Sequence, residues 1–441
     1  MRLPRLERLK EEIDRAELKL PANDKRINAV GRLTEVNATM LKAYLPWAFL
    51  GELCYVGEQQ QLAEVVALEE GYAWLSLFDV ATGLKFGSAV VASGKEYAIP
   101  VGEFLVGKTL DGLGRLSCAE TLPSDVEYRV LNAPPPDPME RAIIDTILPV
   151  GVKAIDGILT CGRGQRFGIF AAAGGGKSTL LSMLCDGVQA DIIVLALVGE
   201  RGREVREFLE HTLTPEARAR CITIVATSER PALERLKASF VATTVAEYFR
   251  DRGKNVVLMV DSLTRYARAA REVGLSCGEP PVASGFPPSV FATLPRLLER
   301  AGNGRTGSIT GFYTVLVEGD NMNEPVADEV RSILDGHIIL SRKLAEANHY
   351  PAIDINGSVS RVMRQIADVQ HIEMAGTLRT LMATYKEIEL LVRVGEYEPG
   401  QDEQADKALA CWPKIQQFLQ QRSGVCPSLS ETLDILRYTL E

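Results

Sequence analysis

The sequence predicts an α/β protein: a parallel-sheet core, with a small β-barrel before it and a helical domain after it. Three observations carry this. Residues 150–345 alternate near-continuous apolar runs with helix-like stretches. Within them AAAGGGKST, 171–179, sits between the apolar run 167–171 and the apolar residues Leu180, Leu181, Met183 and Leu184. Short, β-rich runs cut by Gly, Asn and Asp fill roughly 25–95, whereas the pattern after about 365 is helical.

Taken in order, residues 1–20 (MRLPRLERLKEEIDRAELKL) predict a helix after Pro4. Leu6, Leu9, Ile13, Ala16 and Leu20 recur at three- and four-residue steps and form one apolar face. A partner helix or a lipid surface is the expected cover for that stripe, and its acidic residues make direct lipid insertion the weaker of the two. Runs such as 63–68 and 73–78 predict a small antiparallel barrel. The segment VGKTLDGLGR, 106–115, is turn-rich, and Ala133-Pro134-Pro135-Pro136-Asp137-Pro138 predicts a stiff extended connector. Runs 192–198, 222–226 and 256–260 suit strands buried on both faces of a parallel sheet, with helix between them, as at 230–252. LRTLMATYKEIELLVRV, 378–394, is the clearest C-terminal helix. The expected boundaries are 1–24 for the N-terminal amphipathic helix, 25–95 for the barrel, 96–362 for the core and 363–441 for the helical domain.

Composition excludes several classes. A chain of 441 residues holds two or three domains. Its net charge of −9 argues against nucleic acid as the main ligand. No apolar run reaches about 18 residues, and the N-terminus lacks an apolar signal core. The eight cysteines form no C-x-x-C pair, so reduced, mostly buried thiols in a cytosolic protein are expected rather than zinc ligands.

The chemistry begins at 171–179. Ala173, Gly174, Gly175 and Gly176 make a turn whose N–H groups can converge on phosphate oxygens, and the helix that follows offers its positive end. Lys177 can reach the outer phosphates and the Ser178 hydroxyl can hold Mg²⁺, with Thr179 next in line. The G-x-x-x-x-G-K-[ST] spacing asks for glycine at 171, where this chain has Ala171. The apolar strand VVLMV ends in Asp261, a carboxylate placed to orient Mg²⁺ or its waters. VGERGREVREF, 198–208, places Glu200 and Arg201 just past another strand, where a glutamate can align and deprotonate an attacking water.

Those elements in that order resemble the ATPases that energise type III protein secretion, a branch of the rotary ATP synthase catalytic-subunit family. The resemblance spans nearly the whole chain. It is carried by GVKAIDGILTCGRGQRFGIFAAAGGGKSTLL (151–181), ALVGERGREVREF (196–208), DSLTRYARAAREV (261–273), FPPSVFATLPRLLERAG (286–302), GSIT (307–310), DEVRSILDGHIILSRKLAE (328–346) and HYPAIDINGSVSRVM (349–363). It implies a P-loop (RecA-like) ATPase core, ATP and Mg²⁺ as ligands, and a homohexamer with active sites at subunit interfaces. By the same resemblance Lys177 is the phosphate lysine, Ser178 and Asp261 are the metal residues and Glu200 activates water. Arg201 lies at the γ-phosphate, Arg265 on the phosphate side and Tyr350 against the adenine. Arg361 is the finger entering the neighbouring site. Ala171 marks the secretion branch.

The implied task is delivery and unfolding of export substrates with chaperone release, at the cytoplasmic face of the inner membrane. The implied partners are a stator-type regulator, a central stalk, chaperone–effector complexes and the inner-membrane export apparatus, with no nucleic acid. TSERPALERLKA, 227–238, looks like the virulence-type branch rather than the flagellar export ATPase. Ala171 and the charged N-terminal helix speak against an ATP synthase catalytic subunit. Net acidity speaks against an RNA-translocating helicase, and Glu200 against a non-hydrolysing scaffold.

Overall fold

A computed structural model describes residues 30–37, 39–116, 122–400 and 402–441. The helix expected over 1–20 lies outside the described residues. Six strands close the N-terminal barrel: β1 Val30–Val36, β2 Leu41–Tyr44, β3 Glu52–Val56, β4 Gln61–Glu69, β5 Tyr72–Leu77 and β6 Ala89–Glu96, in the order β1-β2-β5-β4-β3-β6. Alternation builds its interior, where Leu41 and Ala43, Cys54 and Val56, and Ala73 and Leu75 point inward. Between β4 and β5, Glu70 and Gly71 both take positive φ (44° and 85°), the twist a two-residue hairpin needs.

A two-stranded ribbon, β7 Ala98–Val101 with β9 Glu127–Val130, follows the barrel. The core sheet adds β8 Thr109–Asp111, β10 Arg166–Ala171, β11 Ile192–Val198, β12 Cys221–Ala226 and β13 Asn255–Asp261. It is completed by β14 Gly302–Asn303, β15 Ser308–Leu316, β16 Gly336–Leu340 and β17 Ile353–Ser360. Its order is β17-β16-β10-β15-β13-β11-β12-β8, with β14 beside β15. Every pair from β16 to β8 is parallel, and β17 joins β16 antiparallel. In β11, Ile193, Leu195 and Leu197 enter one apolar core while Ile192, Val194, Ala196 and Val198 enter the other. Burial on both faces is why this strand reads as an unbroken apolar run. The turn-rich stretch 106–115 nevertheless contains β8, an edge strand of three residues. Three residues show no periodicity, and β8 exists because β12 offers it a free edge.

The C-terminal domain is helical, as the sequence predicts. Helix Val369–Val394 starts at Asp368, whose side chain accepts the His371 N–H, and stops at Gly395 in the left-handed region. Glu403–Leu419 and Leu429–Leu440 follow, the last opened by a Ser428/Glu431 capping box. Tyr385 stacks on Trp412 with ring centroids 3.8 Å apart, joining the first two helices. Among the described residues, no helix is long and apolar enough to cross a membrane.

Candidate active site

Parallel pairing places the ends of β10, β15, β13 and β11 along one edge of the sheet, with Ala171 opposite Leu316 and Leu197 opposite Asp261. Ligands of open α/β sheets bind at that carboxyl edge. After Ala171 the chain turns through Ala172, Ala173 and three glycines into helix Lys177–Gly187. Gly174 and Gly176 have φ of 77° and 83°, which a side chain would strain. A Cβ on Gly176 would also lie 3.0 Å from Tyr350 Cε1, so the Tyr350 ring already rests on the turn. No side chain caps the helix start. Its first N–H groups therefore have no side-chain acceptor and suit an anion.

Lys177 crosses from this turn to the neighbouring strand ends. Its Nζ donates to Glu200 Oε1 at 3.0 Å and to Asp261 Oδ1 at 2.5 Å. Burial by itself would lower the Lys177 ammonium. The Asp261 and Glu200 carboxylates outweigh that and hold it above the ordinary lysine value. Arg265 completes the cluster, with Nη2 donating to Glu200 Oε2 at 3.0 Å and Nη1 to the Gly199 carbonyl at 2.5 Å. Two cations and two carboxylates thus balance within a largely buried patch, Glu200 being 7% and Asp261 4% exposed. Ser262 positions Arg265 by accepting its backbone N–H at the helix start.

Ser178 is exposed on the first helical turn and Thr179 half-buried, while Ala173 and Gly174 are open to solvent. The hydroxyl and carboxylate oxygens of Ser178 and Asp261 are the hard donors that suit Mg²⁺. Arg201 is not brought into the cluster. It precedes helix Gly202–Glu207 in extended conformation, its side chain is 79% exposed, and it pairs with Glu204 at 3.4 Å. Arg361 is also apart. Its backbone N–H reaches the Asp335 carbonyl at 3.0 Å and its guanidinium projects outward beside the Arg331 carbonyl. One member escaped the sequence reading: Thr314, fully buried on β15, donates to Asp261 Oδ1 at 2.7 Å. Threonine within a strand gives no signal of such a role.

Residues 151–360 match the ATP synthase alpha/beta family, nucleotide-binding domain. Residues 367–438 match the T3SS EscN ATPase C-terminal domain. The SPI-2 type 3 secretion system ATPase of Salmonella typhimurium is 55% identical over 397 residues, 90% of this chain and 92% of that one. The assembled ATPase EscN from the enteropathogenic E. coli type III secretion system has a TM-score of 0.89 at 52% identity, over 93% of this chain and 100% of that chain. EscN in complex with its central stalk EscO gives 0.87 and 51% over the same shares.

Proposed function

The chain belongs to the type III secretion system ATPases and is an ATP hydrolase, and on that premise we propose how its side chains act and what the reaction drives. The glycine turn 173–176 and the start of helix Lys177–Gly187 receive the phosphates. Lys177 exchanges the Asp261 and Glu200 carboxylates for phosphate oxygens when ATP arrives. That exchange frees Glu200 to align and deprotonate the attacking water, while Arg265 keeps the carboxylate in place. Ser178 and Asp261 hold Mg²⁺. The ion, when bound, supplies charge neutralisation for the β- and γ-phosphates. Tyr350 packs against the adenine. Arg201 reaches the γ-phosphate only by leaving Glu204. Arg361 enters the site of the neighbouring copy, where a finger of this kind is worth about 10³–10⁵ in rate.

The assembly we propose is a homohexamer with a central stalk and a stator-type regulator, at the cytoplasmic face of the inner membrane. There it uses ATP to release chaperones and to unfold and deliver export substrates. The observation that carries the chemistry is the Lys177–Glu200–Asp261–Arg265 cluster beside the glycine turn. ATPase assays with and without RNA, on the wild type and Glu200→Gln, test it. Turnover independent of RNA and lost in the variant is expected. RNA-dependent turnover would overturn the task, and unchanged turnover in the variant would overturn the role of Glu200.

A further inference from the structure

β10 has two functional ends. Its last residue, Ala171, leads into the phosphate turn, and its first, Arg166, is clamped to Asp335 just before β16. Three hydrogen bonds join Arg166 to the Asp335 carboxylate. Arg166 Nε and Nη2 grip Asp335 Oδ2 and Oδ1 at 3.0 and 3.1 Å, and the Arg166 backbone N–H reaches Oδ2 at 3.1 Å. The Asp335 N–H returns a bond to the Arg166 carbonyl at 3.0 Å, and Glu299 forms an ion pair with Arg166 Nη1 at 2.5 Å without hydrogen-bond geometry. A charge-assisted fork of this kind fixes orientation as well as distance.

The same Asp335 holds the segment that presents Arg361. Its carbonyl accepts the Arg361 N–H at 3.0 Å and Gln165 Nε2, also at 3.0 Å. Gln165 is fully buried and lies next to Arg166; its Nε2 also reaches Ser360 Oγ at 3.2 Å. Ser360 in turn donates to the Thr160 carbonyl. The arginine's own backbone N–H and the residue before it are therefore fastened to the foot of β10, while its guanidinium is left exposed. β10 is six residues long, about 20 Å, paired on both edges and, from Phe167 to Ala171, buried. Such a strand moves as one piece.

We propose that Asp335 is a positioning residue: with Arg166 and Gln165 it ties the presentation of Arg361 to the strand that carries the phosphate turn, so each copy's finger responds to nucleotide in that copy's own site. This rests on the reading of Arg361 as a finger for the neighbouring site. It goes beyond that reading by assigning the coupling between sites to a specific clamp.

Asp335→Asn removes the ionic fork while keeping the shape. In the assembled enzyme it should lower kcat about tenfold or more, because slight misplacement of a reacting group has effects of that size. Cooperativity in ATP should fall toward a Hill coefficient of unity. Binding of a fluorescent nucleotide and the assembly size by light scattering should not change. A purely structural clamp would lower the melting temperature and leave kcat and cooperativity intact, and that result would overturn the proposal. Arg166→Lys, which keeps the charge and loses the fork, should repeat the effect in case Asp335→Asn does not fold; normal kcat and cooperativity in Arg166→Lys would likewise overturn it. Arg361→Ala separates the two readings. If it alone abolishes turnover, the finger stands and the clamp falls; if it leaves turnover intact, the finger itself falls.

Discussion

Asp261 owes its position to two donors of different origin, Lys177 from the glycine-turn helix and Thr314 from the adjacent strand. Thr314→Val keeps the shape and removes the second donor. Leaving a buried carboxylate oxygen short of one hydrogen bond should destabilise the fold by about 1–3 kcal/mol. It should also lower ATP turnover while Lys177 remains paired. Urea unfolding and steady-state assays read both, and an unchanged pair of values would remove Thr314 from the site. At this scale Lys177, Glu200 and Asp261 were legible because each follows an apolar strand run or a glycine turn. Thr314 was not, because its partner lies 53 positions away along the chain. Between Arg201 and Arg265 the chain's order gave no choice. The fold turns one toward Glu200 and leaves the other in solvent.

Helix Lys153–Ile158 also lacks a side-chain cap at its start, and the Asp156 carboxylate instead folds back. It accepts the Val150 and Gly151 N–H groups, each at 2.8 Å. Burial pushes this carboxyl up to about 7, against the pull of those two N–H groups. The native state therefore binds a proton that the unfolded chain has lost above its ordinary value, so this group's contribution to stability declines as pH rises through about 7. His337 and His349 act the other way. Burial lowers both, so their contribution grows as pH rises through the ordinary histidine range. Asp156→Asn should flatten the falling limb between about pH 4 and 7 and leave the histidine limb in place. Urea midpoints across pH check this, and an unaltered profile would refute it. Elements buried on both faces, β11 and β13, were readable from composition, whereas β8 and the antiparallel β17 depend on the strand edge each one meets.

At the scale of the whole molecule, Arg361 lies outside its own chain's ion cluster, so the proposed site needs two copies. Glu200→Gln and Arg361→Ala should each be nearly inactive alone. Mixed, they should regain activity, since about a quarter of randomly formed interfaces would pair an intact Glu200 with an intact Arg361. ATP turnover against mixing ratio, with nucleotide binding as control, reads the result. No recovery from two assembled, nucleotide-binding variants would sink the shared site. A monomeric sample with full activity would do the same.

The layered architecture, the glycine turn and the acids at the strand ends are all legible in local pattern. Strands buried on both faces must be apolar throughout, and a phosphate turn must lack side chains, so both constraints are written in adjacent residues. Folding is what lets Lys177 bridge two carboxylates, Thr314 support one of them and Asp335 fasten the segment of Arg361 to the foot of β10. Those contacts join residues far apart in the chain, and parallel pairing, not local pattern, sets which strand ends meet.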